Sequence, residues 1–465
     1  MRYPVMSRRF WSIAALGIVV ATAVGISGCG GGGTSATPPV APPTGGSTLA
    51  LERKVIKHVV IIIQENRSFD NMFNGYPGAD TVQQGTIHTG QVVPLEQITL
   101  AAGYNLSHKG RDFFTSYDKG KLDGFDLVAA GNVGNAHGYI LVPPYPQYAY
   151  VPPSDNRPYW DMASQYALSD RTFQSNIDAS FVAHQYLIRG NASSAVDNPP
   201  GTPWGCDAQP GALVSTLLAN QKYGPGIVPC FDATTVADEL EAKHLTWHFY
   251  SPQVRPWNYG GHIEYGEVWS AMGAISHIRK SSRWGTNVTW PETSILRDVP
   301  NGKLADVTWV TPAVANSDHP SSFSLTGPSW VSSIVNTIGQ SKFWNSTAII
   351  VLWDDAGNWY DHVPPPQLDY DGLGFRVPFM VISPYARQGV VLHEQWESVS
   401  SIKFVENLFG LAPIAAADTR AMDITDAFDF TQSPRPFQFI NTYTPWNAQW
   451  FLTHDSAEYD PPDDL

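Results

Sequence analysis

Five short runs of β-branched and aromatic residues constrain the fold of this sequence more than any other feature. Such runs are typical of strands that are buried on both faces. The predicted strands are residues 59–63, 245–250, 307–310, 348–353 and 377–382, and helical patterns lie between them at 160–168, 236–243, 268–279, 330–338 and 402–408. Strands that alternate with helices predict an α/β fold, in which a mostly parallel sheet is sandwiched by helices.

The charge balance narrows the possible partners. The chain has 465 residues, with 42 Asp and Glu against 28 Lys and Arg, and a formal charge of −14. A nucleic-acid-binding protein normally has a basic face, so nucleic acid is not an expected partner. We expect one domain over residues 51–445, with residues 142–158 and 197–226 as excursions from the sheet that form lids or a cap.

The N-terminal residues have the pattern of an export signal. Basic residues precede an apolar run at 11–26 that is too short to span a membrane comfortably. The run ends in Ile26-Ser27-Gly28-Cys29, which is typical of a bacterial lipoprotein signal. We therefore predict a signal peptide over residues 1–29, a lipid on Cys29 that anchors the exported protein to the cell envelope, and a flexible tether over 30–50. The alternative is an ordinary secretory signal and a periplasmic or secreted protein. Residues 446–465 are predicted to be an acidic C-terminal tail.

Two further cysteines, Cys206 and Cys230, are separated by 24 residues. In an exported protein, such a pair is most simply a disulfide that closes a surface loop. The alternative, in which one of them is a nucleophile, has no support from a motif with a nearby base.

Polar side chains follow three of the predicted strands. Glu65 and Asn66 follow the first, residues 316–320 follow the third, and Asp354 and Asp355 follow the fourth. Ligands of an open parallel sheet bind beyond the carboxyl ends of its strands. Adjacent carboxylates repel each other unless a cation or a proton lies between them, and a hard divalent cation prefers oxygen ligands. Each carboxylate could instead cap a helix or turn, but three such strand ends favour a shared site.

Several segments, taken in order, resemble the phosphoesterase family of bacterial phospholipases C and acid phosphatases, which belongs to the alkaline phosphatase superfamily. These segments are QENRSFD at 64–70, LSH at 106–108, KLDGF at 121–125, YLIRG at 186–190, DHP at 318–320, WDD at 353–355, YDHVPPP at 360–366 and GLGFRVP at 372–378. The resemblance implies an alkaline-phosphatase-like core with loop or cap insertions. It also implies a metal-dependent phosphoric ester hydrolase that acts through a phospho-serine intermediate on a phosphate ester or a phospholipid.

The family pattern assigns roles to individual residues. Ser180 matches the nucleophile, and the residues implied to surround the phosphate are His108, His319 and His362. The residues implied to bind a divalent cation, whose identity is open, are Glu65, Asn66, Asp354 and Asp355.

Some positions depart from that pattern or carry little signal. Many members have Asp-Glu where this chain has Asp354-Asp355. Because of such differences, we expect the substrate to differ from that of those members more than the reaction class does. Arg67 is expected to order its loop by pairing with Asp70 or Asp361. His184 and His393 are interpreted as structural or peripheral. The alternative for the whole protein is a catalytically silent surface lipoprotein that uses the same fold to bind a ligand.

Overall fold

The computed structural model describes residues 52–132, 142–177, 179–254, 264–265 and 269–454. All of them belong to one compact unit, Thr44–Leu465. The predicted signal peptide, Cys29 and the tether lie outside the described residues. Within the described ranges, we find no helix whose length and apolar character would let it cross a bilayer.

A central eight-stranded sheet organises this unit. Its strands are β1 His58–Gln64, β2 Ala167–Ser169, β3 Trp247–Tyr250, β4 Val288–Thr289, β5 Val307–Val310, β6 Thr347–Trp353, β7 Phe379–Ile382 and β8 Val390–Leu392. Their order across the sheet is β4-β3-β5-β1-β6-β7-β2-β8. Strand β7 is antiparallel to both of its neighbours, and every other pair is parallel. The predicted α/β class with a mostly parallel sheet is confirmed.

Helices cover both faces of the sheet. They are α1 Phe69–Phe73, α2 Gly110–Tyr117, α3 Pro153–Gln165, α4 Ser180–Arg189, α5 Val236–Ala242, α6 Ser276–Arg279, α7 Arg283–Thr286, α8 Ile295–Asp298, α9 Gly327–Gly339, α10 Ser400–Phe409, α11 Ala416–Arg420 and α12 Ala448–Thr453. Alternate residues of a strand point to opposite faces. Ile61 of β1 therefore packs with Val182 of α4 in one core, whereas Ile62 packs with Trp330 of α9 in the other.

Two predicted helices differ from the structure. The helix expected at 160–168 is α3, which ends at Gln165, and the following residues form β2 because Tyr166 adopts an extended conformation. The helix expected at 268–279 consists, in its described part, of a 3-10 turn at Ala271–Ala274 and the short α6. Val268 lies outside the described residues.

The predicted excursion at 197–226 contains most of a separate sheet. Its three strands are Ala195–Val196, Val214–Leu217 and Tyr223–Ile227. The structure also contains the predicted disulfide between Cys206 and Cys230. Part of the predicted C-terminal tail forms α12, in which Phe451 is buried against Trp330. Residues 455–465 lie outside the described part.

Candidate active site

The first part of the site forms where the neighbouring strands β1 and β6 end. The two strands are parallel, and Gln64 is in register with Trp353. The residues that follow therefore meet: the Asn66 N–H donates to Asp354 Oδ1 at 3.1 Å. Asn66 adopts a left-handed conformation, with a φ of 52°. A Cβ atom on Gly357 would lie only 2.6 Å from the Asn66 carbonyl oxygen. The close approach of the two loops thus requires glycine at 357.

Ser180 reaches this cluster from α4, of which it is the first residue. Its hydroxyl is fully buried and donates to Asp355 Oδ2 at 3.2 Å. The Asn66 Nδ2 donates to Ser180 Oγ at 3.3 Å and lies 3.4 Å from the same Asp355 oxygen. The start of a helix carries a partial positive charge and favours anions. The predicted nucleophile and two predicted metal ligands are therefore in direct contact.

His108 adds an imidazole with a defined orientation. Its Nδ1 lies 2.8 Å from the Leu106 carbonyl oxygen. Since a carbonyl can only accept a hydrogen bond, Nδ1 carries the hydrogen. The other nitrogen, Nε2, lies 3.1 Å from Asn66 Nδ2. The Nε2 of His108 therefore faces the Asn66 amide, which also contacts Ser180.

His184, which the sequence indicated only as structural or peripheral, lies inside the site. Its Nε2 is 3.0 Å from Glu65 Oε1 and 3.7 Å from Asp354 Oδ2, and all three side chains are almost fully buried. One ligand atom from each of these residues lies within 4.8 Å of the others, so the group could hold a metal ion. The signal that could have found His184 is its spacing, because residues four apart share one face of a helix and Ser180 is four residues earlier.

The donor atoms fit a divalent cation. Asn66 Oδ1 and Asp354 Oδ2 are buried and have no hydrogen-bond partner among the described residues. Buried polar atoms nearly always have a partner, and carboxylate and amide oxygens are the ligands that hard divalent cations prefer. The predicted ligands can therefore bind such an ion, with Glu65 and Asp355 supplying further carboxylate oxygens.

His362 lies in a second cluster of charged side chains. Its Nδ1 is 2.6 Å from Asp70 Oδ2, and its Nε2 is 3.1 Å from Asp80 Oδ1. The buried Arg376 donates to Asp361 at 2.8 Å and to Asp70 at 3.2 Å. Burial lowers the pKa of His362, but its hydrogen bond with Asp70 and the charges of Asp70 and Asp361 raise it, and the net shift is upward. The hydrogen bonds of His362 thus go to this cluster and not to Ser180.

His319 is fully buried, and its ring packs against Trp269 with the centroids 5.5 Å apart. It follows β5, as the sequence predicted. Its implied contact with the phosphate stays a prediction.

The expected pairing of Arg67 is wrong. Its buried guanidinium donates to the carbonyl oxygens of Asp318 and Leu100, each at 2.8 Å, and it stacks on Trp359. Arg376 takes the predicted role, because it is the cation that binds Asp70 and Asp361. The sequence suggested Arg67 because it is close to Asp70 along the chain, whereas Arg376 is close to Asp361.

A small cavity of about 10 Å³, enough for about one water molecule, adjoins the Ser180 cluster. His108 and Asp355 line it together with Phe113, Phe375 and Asn358. The Asn358 Nδ2 donates to the Ser107 carbonyl at 2.9 Å, which helps to fix the segment that carries His108. The cavity offers apolar walls beside the predicted nucleophile.

Comparison with known proteins finds bacterial phospholipases C of similar sequence. Phospholipase C B of Mycobacterium tuberculosis is 25% identical over 435 residues, which cover 82% of this chain and 79% of that protein. The non-hemolytic phospholipase C of Burkholderia pseudomallei is 24% identical over 471 residues, which cover 88% of this chain and 62% of that protein. A solved structure from Vibrio parahaemolyticus, described as a protein in the alkaline phosphatase superfamily, aligns with 82% of this chain and 79% of its own at a TM-score of 0.35 and 10% identity.

The model of the phosphoesterase family matches residues 56–412 of this sequence. The matched region contains both strand ends of the site, the whole of α4 and His108. This chain is therefore a phosphoric ester hydrolase that belongs to the phosphoesterase family.

Proposed function

We propose that the protein hydrolyses phosphoric diesters of the phospholipid class through a phospho-serine formed on Ser180. One observation carries the proposal: the buried Ser180 Oγ lies 3.2 Å from Asp355 and 3.3 Å from Asn66, inside a cluster of oxygen donors. A serine hydroxyl is a weak nucleophile at neutral pH and needs activation by a base or a cation.

A divalent cation would be held by Glu65, Asn66, Asp354 and Asp355. When bound, such an ion stabilises negative charge on the phosphoryl oxygens and on the serine oxygen. The support for it is the pair of buried oxygens, Asn66 Oδ1 and Asp354 Oδ2, that lack a hydrogen-bond partner among the described residues.

The first half of the reaction transfers the phosphoryl group to the protein. Ser180 Oγ forms a bond to phosphorus, and the bond from phosphorus to the leaving alcohol oxygen breaks. The hydroxyl proton of Ser180 passes to Asp355 Oδ2, which already accepts its hydrogen bond. A second proton on His108 Nε2 replaces the hydrogen bond that this nitrogen accepts from Asn66 Nδ2. His108 then donates from Nε2 to the departing oxygen, a role that suits an imidazole.

The second half restores the serine. A water molecule attacks phosphorus and gives up a proton to His108 Nε2, the bond from phosphorus to Ser180 Oγ breaks, and Asp355 returns its proton to Ser180. The sum is one diester and one water converted into an alcohol and a phosphomonoester. Ser180 and His108 therefore end the cycle as they began it.

The proposed class of substrate is supported by the relatives. The relatives named above are phospholipases C.

We further propose that the protein is exported and anchored at the cell envelope through a lipid on Cys29. The support is the Ile26-Ser27-Gly28-Cys29 sequence after an apolar run. A disulfide between Cys206 and Cys230 agrees with an oxidising compartment.

The test uses a chromogenic phosphocholine diester and a chromogenic phosphate monoester, each assayed with and without a chelator. We expect turnover of the diester that the chelator abolishes and that a divalent metal restores. Ser180→Ala and Asp354→Asn should each lower turnover by at least ~100-fold, because the first removes the nucleophile and the second removes a carboxylate that would hold the cation. Thermal stability should stay nearly unchanged.

Ser332→Ala is the matched control, because Ser332 is also fully buried but lies on α9. Mass spectrometry of protein quenched during turnover should show a phosphoryl adduct on Ser180. If neither ester is hydrolysed under any metal supply, the silent ligand-binding lipoprotein is the better description. If both site variants keep wild-type rates, the site is assigned to the wrong residues.

A further inference from the structure

An unusual concentration of exposed apolar side chains lies on the hairpin formed by residues 213–228. Its antiparallel strands are Val214–Leu217 and Tyr223–Ile227. Among the described residues, nine large hydrophobic side chains are exposed, and four of them belong to this hairpin: Leu213 at 48%, Leu218 at 43%, Tyr223 at 39% and Val228 at 61%. Single exposed apolar residues need no explanation, but a cluster marks an interaction surface.

Leu213 and Leu218 lie on the same side of the hairpin. A Cβ on Gly224 would lie 2.8 Å from Leu218 Cδ2, and a Cβ on Gly226 would lie 2.8 Å from Leu213 Cβ. Both leucine side chains therefore lie on the face of the hairpin that side chains at positions 224 and 226 would occupy.

The hairpin is held by other side chains. Val214 and Leu217, also in its first strand, are almost fully buried in the protein core. The exposed side chains of Leu213 and Leu218 are therefore not part of this core and can contact an external surface.

The charge of the hairpin differs from that of the rest of the chain. Residues 208–231 contain no Asp or Glu and one lysine, Lys222, in a chain with 42 acidic residues. Arg111 of α2 lies beside the hairpin, because its backbone N–H donates to the Tyr223 hydroxyl oxygen at 3.1 Å. Its side chain is 69% exposed and lies 3.9 Å from Asp112, a long and solvent-screened contact that leaves the guanidinium accessible to an anionic headgroup. Aliphatic side chains flanked by Lys and Arg complement the surface of a membrane that contains anionic lipid.

The hairpin is also fixed next to the candidate active site. Asp197 Oδ1 accepts hydrogen bonds from the Tyr223 hydroxyl at 2.9 Å and from the Gly110 N–H at 3.0 Å, two residues after His108. Asn198 Oδ1 accepts a hydrogen bond from the N–H of Phe181 at 2.9 Å, directly after Ser180. The disulfide between Cys206 and Cys230 closes the loop that contains most of the hairpin. A surface bound by the hairpin would therefore lie close to both proposed catalytic residues.

We infer that this hairpin is a docking surface for a phospholipid aggregate. Leu213 and Leu218 enter the apolar layer, and Lys222 and Arg111 contact anionic headgroups. The inference rests on the proposed function, because it explains how a water-soluble unit reaches an ester that is embedded in a lipid surface. It adds a binding surface that the chemistry at Ser180 does not require.

The experiment compares binding to vesicles of phosphatidylcholine and phosphatidylglycerol in equal parts. It uses residues Thr44–Leu465, which form a compact unit, with the disulfide intact. A chelator prevents hydrolysis during sedimentation. The double variant Leu213→Asp, Leu218→Asp should bind at least ~10-fold more weakly, because an aspartate is strongly disfavoured in an apolar layer. Leu127→Asp is the matched control, since Leu127 is 56% exposed but lies outside the hairpin, and it should bind as the wild type does.

Lys222→Ala should weaken binding to these vesicles and leave binding to pure phosphatidylcholine unchanged. The thermal midpoint of each variant checks its fold, and the Leu213→Ser, Leu218→Ser pair replaces the aspartates if they destabilise the protein.

Two outcomes overturn the inference: the wild type does not bind vesicles, or the double variant binds them as well as the wild type. Loss of self-association in the double variant without loss of vesicle binding would instead assign the surface to a second copy of the chain. The proposed function fails separately, since vesicle binding without turnover of any ester would refute the chemistry and leave the docking surface in place.

Discussion

Replacing His184 tests whether a residue outside the predicted ligand set controls metal affinity. Its Nε2 lies 3.0 Å from Glu65 Oε1, and both side chains are buried. We propose that Nε2–H donates to this oxygen and holds the carboxylate so that its other oxygen points to the metal. His184 is then a positioning residue, since it acts on the metal through Glu65. Such hydrogen bonds orient the ligands of many metal sites.

The size of the effect follows from the burial of both groups. A hydrogen bond to a buried charged group contributes about 1.5–3 kcal/mol, and every 1.4 kcal/mol corresponds to a tenfold change in a binding constant. His184→Ala should therefore weaken metal binding by about 10- to 100-fold. His184→Gln keeps an N–H donor near the position of Nε2 and should recover much of that loss.

The assay is isothermal titration of the metal-free protein with Mn²⁺, which does not depend on turnover. His277→Ala is the control, because His277 Nε2 forms a similar contact of 2.9 Å with Asp238 outside the site. It should bind Mn²⁺ like the wild type. An affinity of His184→Ala within twofold of the wild type would refute the positioning role. If His184→Gln were as weak as His184→Ala while folded, His184 would itself be a ligand, and the donor role would be wrong.

Two further predictions concern stability and export. Burial raises the pKa of Asp318 to about 7, so the native state holds its proton more tightly than the unfolded chain, and stability falls as the pH rises from about 4 to about 7. A shift of three pKa units corresponds to a loss of about 4 kcal/mol in the free energy of unfolding. Asp318→Asn should remove this pH-dependent loss, so the free energies of unfolding of the two proteins, measured by denaturation, should diverge between pH 4 and pH 8. A parallel pH dependence would contradict the raised pKa of Asp318. Cys29→Ser should abolish labelling of the exported protein by a palmitate analogue, and labelling that persists would show that Cys29 is not the acceptor.

The central strands could be predicted because their sequences leave little choice. β1 and β6 each have seven residues in a nearly continuous apolar run, and both are almost entirely buried. β2, β4 and β8 could not be predicted, because strands of two or three residues are too short to show a hydrophobic period. Their positions are set by pairing with strands that are distant in sequence, which no local pattern records.

The contact between the two carboxyl strand ends was predictable from topology alone. Once β1 and β6 are taken as neighbouring parallel strands, Asn66 and Asp354 must lie near each other. Ser180 was found through the family resemblance, since a serine at the start of a helix has no distinctive local pattern. His184 could have been found from its spacing to Ser180, but only after α4 was recognised as a helix that faces the site.

The second charged cluster explains why residue type alone could not assign the role of His362. Asp70 and Asp361 are both buried beside Arg376, so one cation faces two carboxylates. A buried charge without a partner is costly, and His362 supplies a second cation through its 2.6 Å contact with Asp70. Moving His362 to a phosphoryl group would leave Asp70 with Arg376 alone. His108 Nε2 already faces the Ser180 cluster, so the geometry favours His108 over His362 as the donor to the leaving oxygen.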